Sequence, residues 1–203
     1  MALSRAFDTE LTCGDSFLLS TSHQPGGVWL APDQPLDASA LLLGEYRPEE
    51  PVRFNRVSGN KVRDWIGSDL VVLPIVSDRF RSALEEHRCT GWSAYAAEIA
   101  MDGRSGLRHC NVLSISGRSG PLLEELSEPI EMLAPVPGGR SVPGHRGMCF
   151  APETWDGSDM FVPADTGFVM VTEKVVDALM AAKITGVAIA AAAGIEHGNF
   201  TYG

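Results

Sequence analysis

Val76-Ser77-Asp78-Arg79, Ala83-Leu84 and Thr90-Gly91 return as Val171-Thr172-Glu173-Lys174, Ala178-Leu179 and Thr185-Gly186, each block 95 residues further on. A constant register across three blocks indicates a doubled unit. A further pair, Trp65-Ile66-Gly67-Ser68-Asp69 and Trp155-Asp156-Gly157-Ser158-Asp159, is offset by 90 residues, so the later copy is read as carrying five extra residues between its parts. The shared positions are read as scaffold, which turns attention to what differs.

Within each copy the pattern is that of a capped helix. Ser77 and Thr172 are N-cap residue types, and Asp78 and Glu173 place negative charge at the positive end of the helix dipole. Phe80, Ala83, Leu84 and His87 fall on one helical face, as do Val175, Ala178, Leu179 and Ala182. Arg88 and Lys183 suit a helix C-terminus, and Gly91 and Gly186 permit a left-handed turn. Strands are expected over 70–76 before the first helix, over 92–96 and 187–191 after the helices, and over 107–115. Short strands are also expected at Phe17-Leu18-Leu19, Val28-Trp29-Leu30 and Leu41-Leu42-Leu43. Residues 117–121 read as a turn, 122–126 as a short acidic helix and 135–147 as a Gly/Pro loop between the halves. The fold class expected is α+β: two similar halves, each a small sheet with one capped helix, after an irregular N-terminal segment that completes the first sheet. The halves are placed at 1–134 and 135–203, in one compact unit.

The 203 residues carry a formal charge of −10, with a sequence pI near 4.9. Nucleic acid and anionic membrane would be repelled, so a basic partner is the complement. The charge is uneven. Residues 119 to 173 hold nine acids against Arg140 and Arg146, a net of −7, whereas 71 to 118 hold five acids and six bases. Cys13, Cys89, Cys110 and Cys149 are widely spaced with no CxxC pair, and no signal peptide is read, so reduced thiols in a cytoplasm are expected.

Reaction motifs are not found: the sequence has no GxGxxG, no GxxxxGK[ST], no GxSxG and no HExxH. The patches 103–106 and 117–120 could cradle an anion but read as turns. His145 and Cys149 make a poor metal pair without a second closely spaced pair, so neither metal nor cofactor is expected. Cys89 is read as apolar filling, because its counterpart is Ile184. Trp65 and Trp155 are read as core anchors, and Asp69 and Asp159 as turn-tying residues.

The repeated segments, with the middle stretch from Leu113 to Pro121, resemble the immunity-protein family numbered eleven of bacterial polymorphic toxin systems. That family includes a myxobacterial branch marked by a double CxxCG motif, which is absent here, so no metal site carries over. The resemblance implies a cytoplasmic protein, without catalysis, that binds and neutralises a cognate toxin domain. The charge adds a preference for a basic, nuclease-like toxin. The candidate partner-binding residues are Glu124, Glu125, Glu128, Glu131, Glu153, Asp156 and Asp165; Asp159 and Glu173 are left to the scaffold. Two rivals remain. One is a cysteine hydrolase using Cys110 or Cys149 with His109 or His145, and the other is a scaffold binding a small ligand between the halves.

Overall fold

The computed structural model describes residues 13–101, 104–133 and 139–198. In chain order the elements are β1 (Ser16–Thr21), β2 (Trp29–Pro32), α1 (Ala38–Leu42), β3 (Val52–Ser58), β4 (Trp65–Ser68), β5 (Ile75–Ser77), α2 (Asp78–Glu86), β6 (Trp92–Met101), β7 (Arg104–Ile115) and β8 (Gly117–Ser119). After them come β9 (Glu128–Met132), β10 (Val142–Arg146), β11 (Met160–Pro163), β12 (Val169–Thr172), α3 (Glu173–Ala181), β13 (Val187–Ala191) and β14 (Glu196–His197). The class is mixed α+β, with strands dominant. Six strands close a barrel in the order β2-β3-β6-β7-β5-β4, five form an open sheet β13-β1-β12-β11-β8, and three form a small sheet β14-β10-β9.

The doubling sits inside these sheets. The run β4-β5-α2-β6 returns 95 residues later as β11-β12-α3-β13. The fourth strand of each unit has a different origin. In the barrel, β7 lies between β5 and β6, with Val112 opposite Ile75 and Leu113 opposite Ala94. In the open sheet that place belongs to β1, with Leu18 opposite Met170 and Leu19 opposite Ile189. Since 170 and 189 are the counterparts of 75 and 94, β1 is the spatial equivalent of β7. Of the N-terminal segment, β2 and β3 complete the first sheet as expected, closing it into the barrel, whereas β1 completes the second. The equivalence extends further: β8 runs parallel to β11 as β2 runs parallel to β4, which puts Arg118 and Trp29 at matching positions.

Both helices bury most of the faces that their spacing predicts, with Phe80, Ala83 and Leu84 on α2 and Val175, Ala178 and Leu179 on α3 at most 2% exposed, whereas the fourth positions, exposed His87 and half-buried Ala182, are C-cap residues beyond the helix ends. The helices pack against each other, and most buried side chains of the two halves share one core. A smaller cluster gathers Met148, Phe150, Phe161, Met170 and Ala192, with Trp155 against it. On the loops after β4 and β11, the counterparts Val72 and Gly167 come together, a Cβ on Gly167 falling 2.6 Å from Val72 Cγ1. These contacts fit an approximate twofold relation between the units.

Four expected elements differ. The loop expected over 135–147 holds β10 (Val142–Arg146), its residues 135–138 lying outside the described residues. Leu41-Leu42-Leu43 belongs to a helix and its end: Asp37 caps α1 by accepting from the amide of Ala40 at 2.9 Å, and an apolar triplet buries equally well on one turn of helix. The strand expected over 70–76 shrinks to β5, because Ser68 Oγ accepts from the amide of Leu70 and the amide of Leu73 donates to Leu70. That turn leaves Val71 88% exposed. The stretch read as a turn at 117–121 begins as a strand, β8, paired with β11.

Candidate functional site

Asp64 and Asp159 each hold a clasp between the halves. Asp64 accepts from Ser77 Oγ at 2.8 Å, from Arg79 Nε at 3.1 Å and Nη2 at 2.5 Å, and, from the other half, from the amide and hydroxyl of Thr185 at 2.9 and 2.7 Å. Asp159 accepts from Thr172 Oγ1 at 3.3 Å, Lys174 Nζ at 2.8 Å, and the amide and hydroxyl of Thr90 at 2.8 and 3.0 Å. Arg79 also donates to the carbonyl of Lys183, and Lys174 to that of Arg88. Every member of one clasp has its counterpart 95 residues away. Burial pushes both carboxyls up, but the hydrogen bonds, led by those of Thr185 on Asp64 and Lys174 on Asp159, outweigh it and hold both below the ordinary 3.8.

This corrects the matching of Asp69 with Asp159. Asp69 accepts from the indole of Trp29 at 2.7 Å, and the true counterpart of Asp159 is Asp64. Trp65, 5% exposed in the main core, corresponds to Met160 and not to Trp155. Keeping the 95-residue offset constant would have found Asp64; the chance recurrence of W-x-G-S-D hid it.

The seven acids proposed for partner binding do not share one element. Glu124 and Glu125 lie on a 3-10 turn leading to β9, which carries Glu128 and Glu131. Glu153 lies on a separate 3-10 turn before β11, and Asp165 on the loop after it. Several are engaged within the chain. Glu128 pairs with Arg146 at 3.0 Å, Glu124 lies 3.7 Å from His145, and Glu131 accepts from Ser141 at 3.0 Å. Asp156 ties a turn by accepting from the amides of Arg118 and Ser158. Glu125, Glu128 and Glu131 remain exposed along one edge, among Leu126, Leu133 and Val142 at 50, 92 and 43%. Among the described residues β9 pairs only with β10, which leaves its outer edge unpaired.

Cys13 and Cys149 are joined by a disulfide, against the expectation of four reduced thiols. Their separation of 136 residues kept the pair invisible to spacing rules. The bond occupies the Cys149 sulfur. Cys110 is buried, and burial pushes its thiol up to about 11, far from a ready nucleophile. His109, adjacent on the strand, faces outward to Asp78 at 3.1 Å, while His145 stacks on His197 with ring centres 5.9 Å apart. Neither imidazole is placed to activate either sulfur. Of the glycine patches, 117–120 lies in β8 and its end, and residue 103 is outside the described residues.

The second rival fares differently. An apolar cleft of about 570 Å³ opens between β1, β4, the loop 69–74 and the segment 167–169. Leu18, Trp29, Trp65, Leu70, Leu73 and Phe168 line it, and no Lys, Arg, Asp or Glu does. Among the described residues no helix is long and apolar enough to cross a membrane, and no group of three or more His, Cys, Asp or Glu could hold a metal ion. No protein-family model matches this sequence, and no curated protein matches it.

Proposed function

We propose that this chain is an immunity protein that binds a cognate bacterial toxin domain and neutralises it by occlusion, without catalysis. The observation that carries the reading is the small sheet β14-β10-β9. Among the described residues it has no counterpart in the first half, and its unpaired β9 edge carries exposed Glu128 and Glu131, with exposed Glu125 and Leu126 just before the strand and Leu133 just after it. Exposed apolar groups beside exposed charge occur together at docking surfaces, and the acidic edge suits a basic, nuclease-like partner. The doubled frame, two sheets each bearing one capped helix, serves as the rigid carrier of that edge. The resemblance of the repeated segments to the eleventh immunity family supports the same reading. Glu153, Asp156 and Asp165 lie apart from this edge and contribute at most a longer-range field.

The test is co-expression with candidate toxin domains, nucleases first. Rescue of growth by the wild type, and its loss in the triple variant Glu125→Lys, Glu128→Lys, Glu131→Lys, is the expected result. The association rate of the variant should also respond less to salt. Full rescue with an unchanged salt slope would remove this edge from the interface.

A further inference from the structure

The two halves treat one surface differently. In the first half, the face of β7 holding Ser114 lies beneath α1. Leu41 and Leu42 are 0 and 1% exposed, Ser114 is 1% exposed with its hydroxyl 3.4 Å from the carbonyl of Leu42, and Arg118 Nη2 holds the carbonyl of Leu43 at 2.6 Å. In the second half, among the described residues, no α-helix lies on this face of the equivalent strand β1: Leu18 packs on the smaller cluster of Met148, Phe150 and Phe161, and the strand is uncovered only beyond it, at Ser20. Ser20, the counterpart of Ser114, is exposed, and Leu18 is only partly buried where Val112 is 0% exposed. The open cleft lies over this face. Trp29 stands where Arg118 caps α1, so a flat apolar face replaces the cation.

We propose that this cleft is a docking site for an amphipathic helix of a partner protein, which would lay two adjacent apolar side chains on β1 as α1 lays Leu41 and Leu42 on β7. The other half shows that contact in place: α1 lies on β7 beside a counterpart cleft of about 500 Å³ lined by Leu42, Leu43, Arg118 and residues 162–167. Charge specifies the occupant further. Exposed Asp69 accepts from the indole of Trp29 on the cleft wall at 2.7 Å, so a helix with a basic residue beside its apolar pair fits best. Val71, 88% exposed, supplies an apolar lip. The proposal concerns the helix alone and stands whether or not the partner is a toxin.

The probe is a synthetic peptide of residues 35–45, stapled as a helix and given lysines at both ends, titrated into the protein while amide resonances are followed by NMR. Saturable shifts at 18–21, 65–74 and 167–169 are expected. Ser20→Trp, which fills the floor of the cleft, and Val71→Asp, which charges its lip, should each weaken binding roughly tenfold or more. Both positions are exposed, so the variants keep the fold, and Val57→Asp on β3 is the neutral control. A peptide carrying Leu41→Ser and Leu42→Ser should not bind. The proposal falls if the stapled peptide leaves these resonances unmoved. It falls equally if a small apolar dye saturates the cleft and the peptide does not, or if the same resonances shift on concentrating the protein alone, which would make the occupant a second copy.

Discussion

The first half covers β7 with α1 and closes its sheet into a barrel with β2 and β3; the second leaves the Ser20 end of the same face of β1 exposed and adds a small sheet with an acidic edge. What the halves share is what geometry forbids changing: the interlocked turns, the two clasps and the buried helix faces. What they do not share is surface. A doubled fold thereby separates the residues that hold the molecule together from those free to recognise something else, and each part of that division can be broken by substitution.

The severest break should come at the interlocked turns. Gly91 has φ +84°, and a Cβ there would fall 2.1 Å from the carbonyl oxygen of Met160; Gly186 has φ +86°, and its Cβ would fall 2.3 Å from that of Trp65. Both obstructions are backbone, which cannot swing aside. Gly91→Ala and Gly186→Ala should each destabilise by about 4 kcal/mol or more, measured as a drop in the urea midpoint. A mild effect at one and a severe effect at the other would break the equivalence of the turns.

The clasps come next. Removing a largely buried carboxylate leaves Thr185, Ser77 and Arg79 without their acceptor, so Asp64→Ala should cost about 3 kcal/mol, and Asp159→Ala a similar amount. The pH dependence follows from the sign of the shifts. Both carboxyls lie below 3.8 in the folded protein, so the clasps contribute in full above that value and lose their contribution as pH falls through the folded values. Asp78, held down by the side chain of Asn111 and by His109 and Arg81, adds to the same acid loss. Urea midpoints from pH 6 to pH 3 should fall steeply for the wild type and less for the variant carrying Asp64→Asn with Asp159→Asn. An unchanged slope would deny the clasps their ionic character.

These parts of the molecule were unequally legible in the sequence. The helices were readable because caps, dipole charges and a 3.6-residue apolar stripe are local signals, and Ser77, Phe80, Ala83 and Leu84 carry all of them. Gly91 and Gly186 were readable for the same reason. The destination of β1 was not, because strand pairing is a long-range fact: nothing in Phe17-Leu18-Leu19 says that it will lie beside Val169–Thr172 rather than beside the barrel. The triplet Leu41-Leu42-Leu43 misled because three adjacent apolar residues suit a strand or one turn of helix equally, and the decisive cap at Asp37 lay outside the run. Asp64 escaped because a shorter likeness at Asp69 outbid it. The candidate acids were identifiable as charge, but their division among a sheet edge, two 3-10 turns and a loop depends on tertiary structure.

The smallest predicted effect is also the finest probe of the equivalence between halves. Ser77 and Thr172 hold the same N-cap position, yet they use their hydroxyls differently. Ser77 Oγ accepts from the amide of Phe80 at 3.2 Å while donating to Asp64 at 2.8 Å. Thr172 makes no side-chain cap bond and donates to Asp159 only at a longer 3.3 Å. Ser77→Ala therefore removes a cap and a clasp bond together and should cost about 1–2 kcal/mol, whereas Thr172→Ala removes one long hydrogen bond and should cost about 0.5 kcal/mol. Both differences are readable as urea midpoints against the wild type. Equal losses would mean that the two hydroxyls do the same work in solution, and that the helix starts are as alike in energy as they are in sequence. A larger loss at Ser77 would show that the copies have diverged even within the frame, at the one point where Asp64 and the helix cap depend on a single side chain.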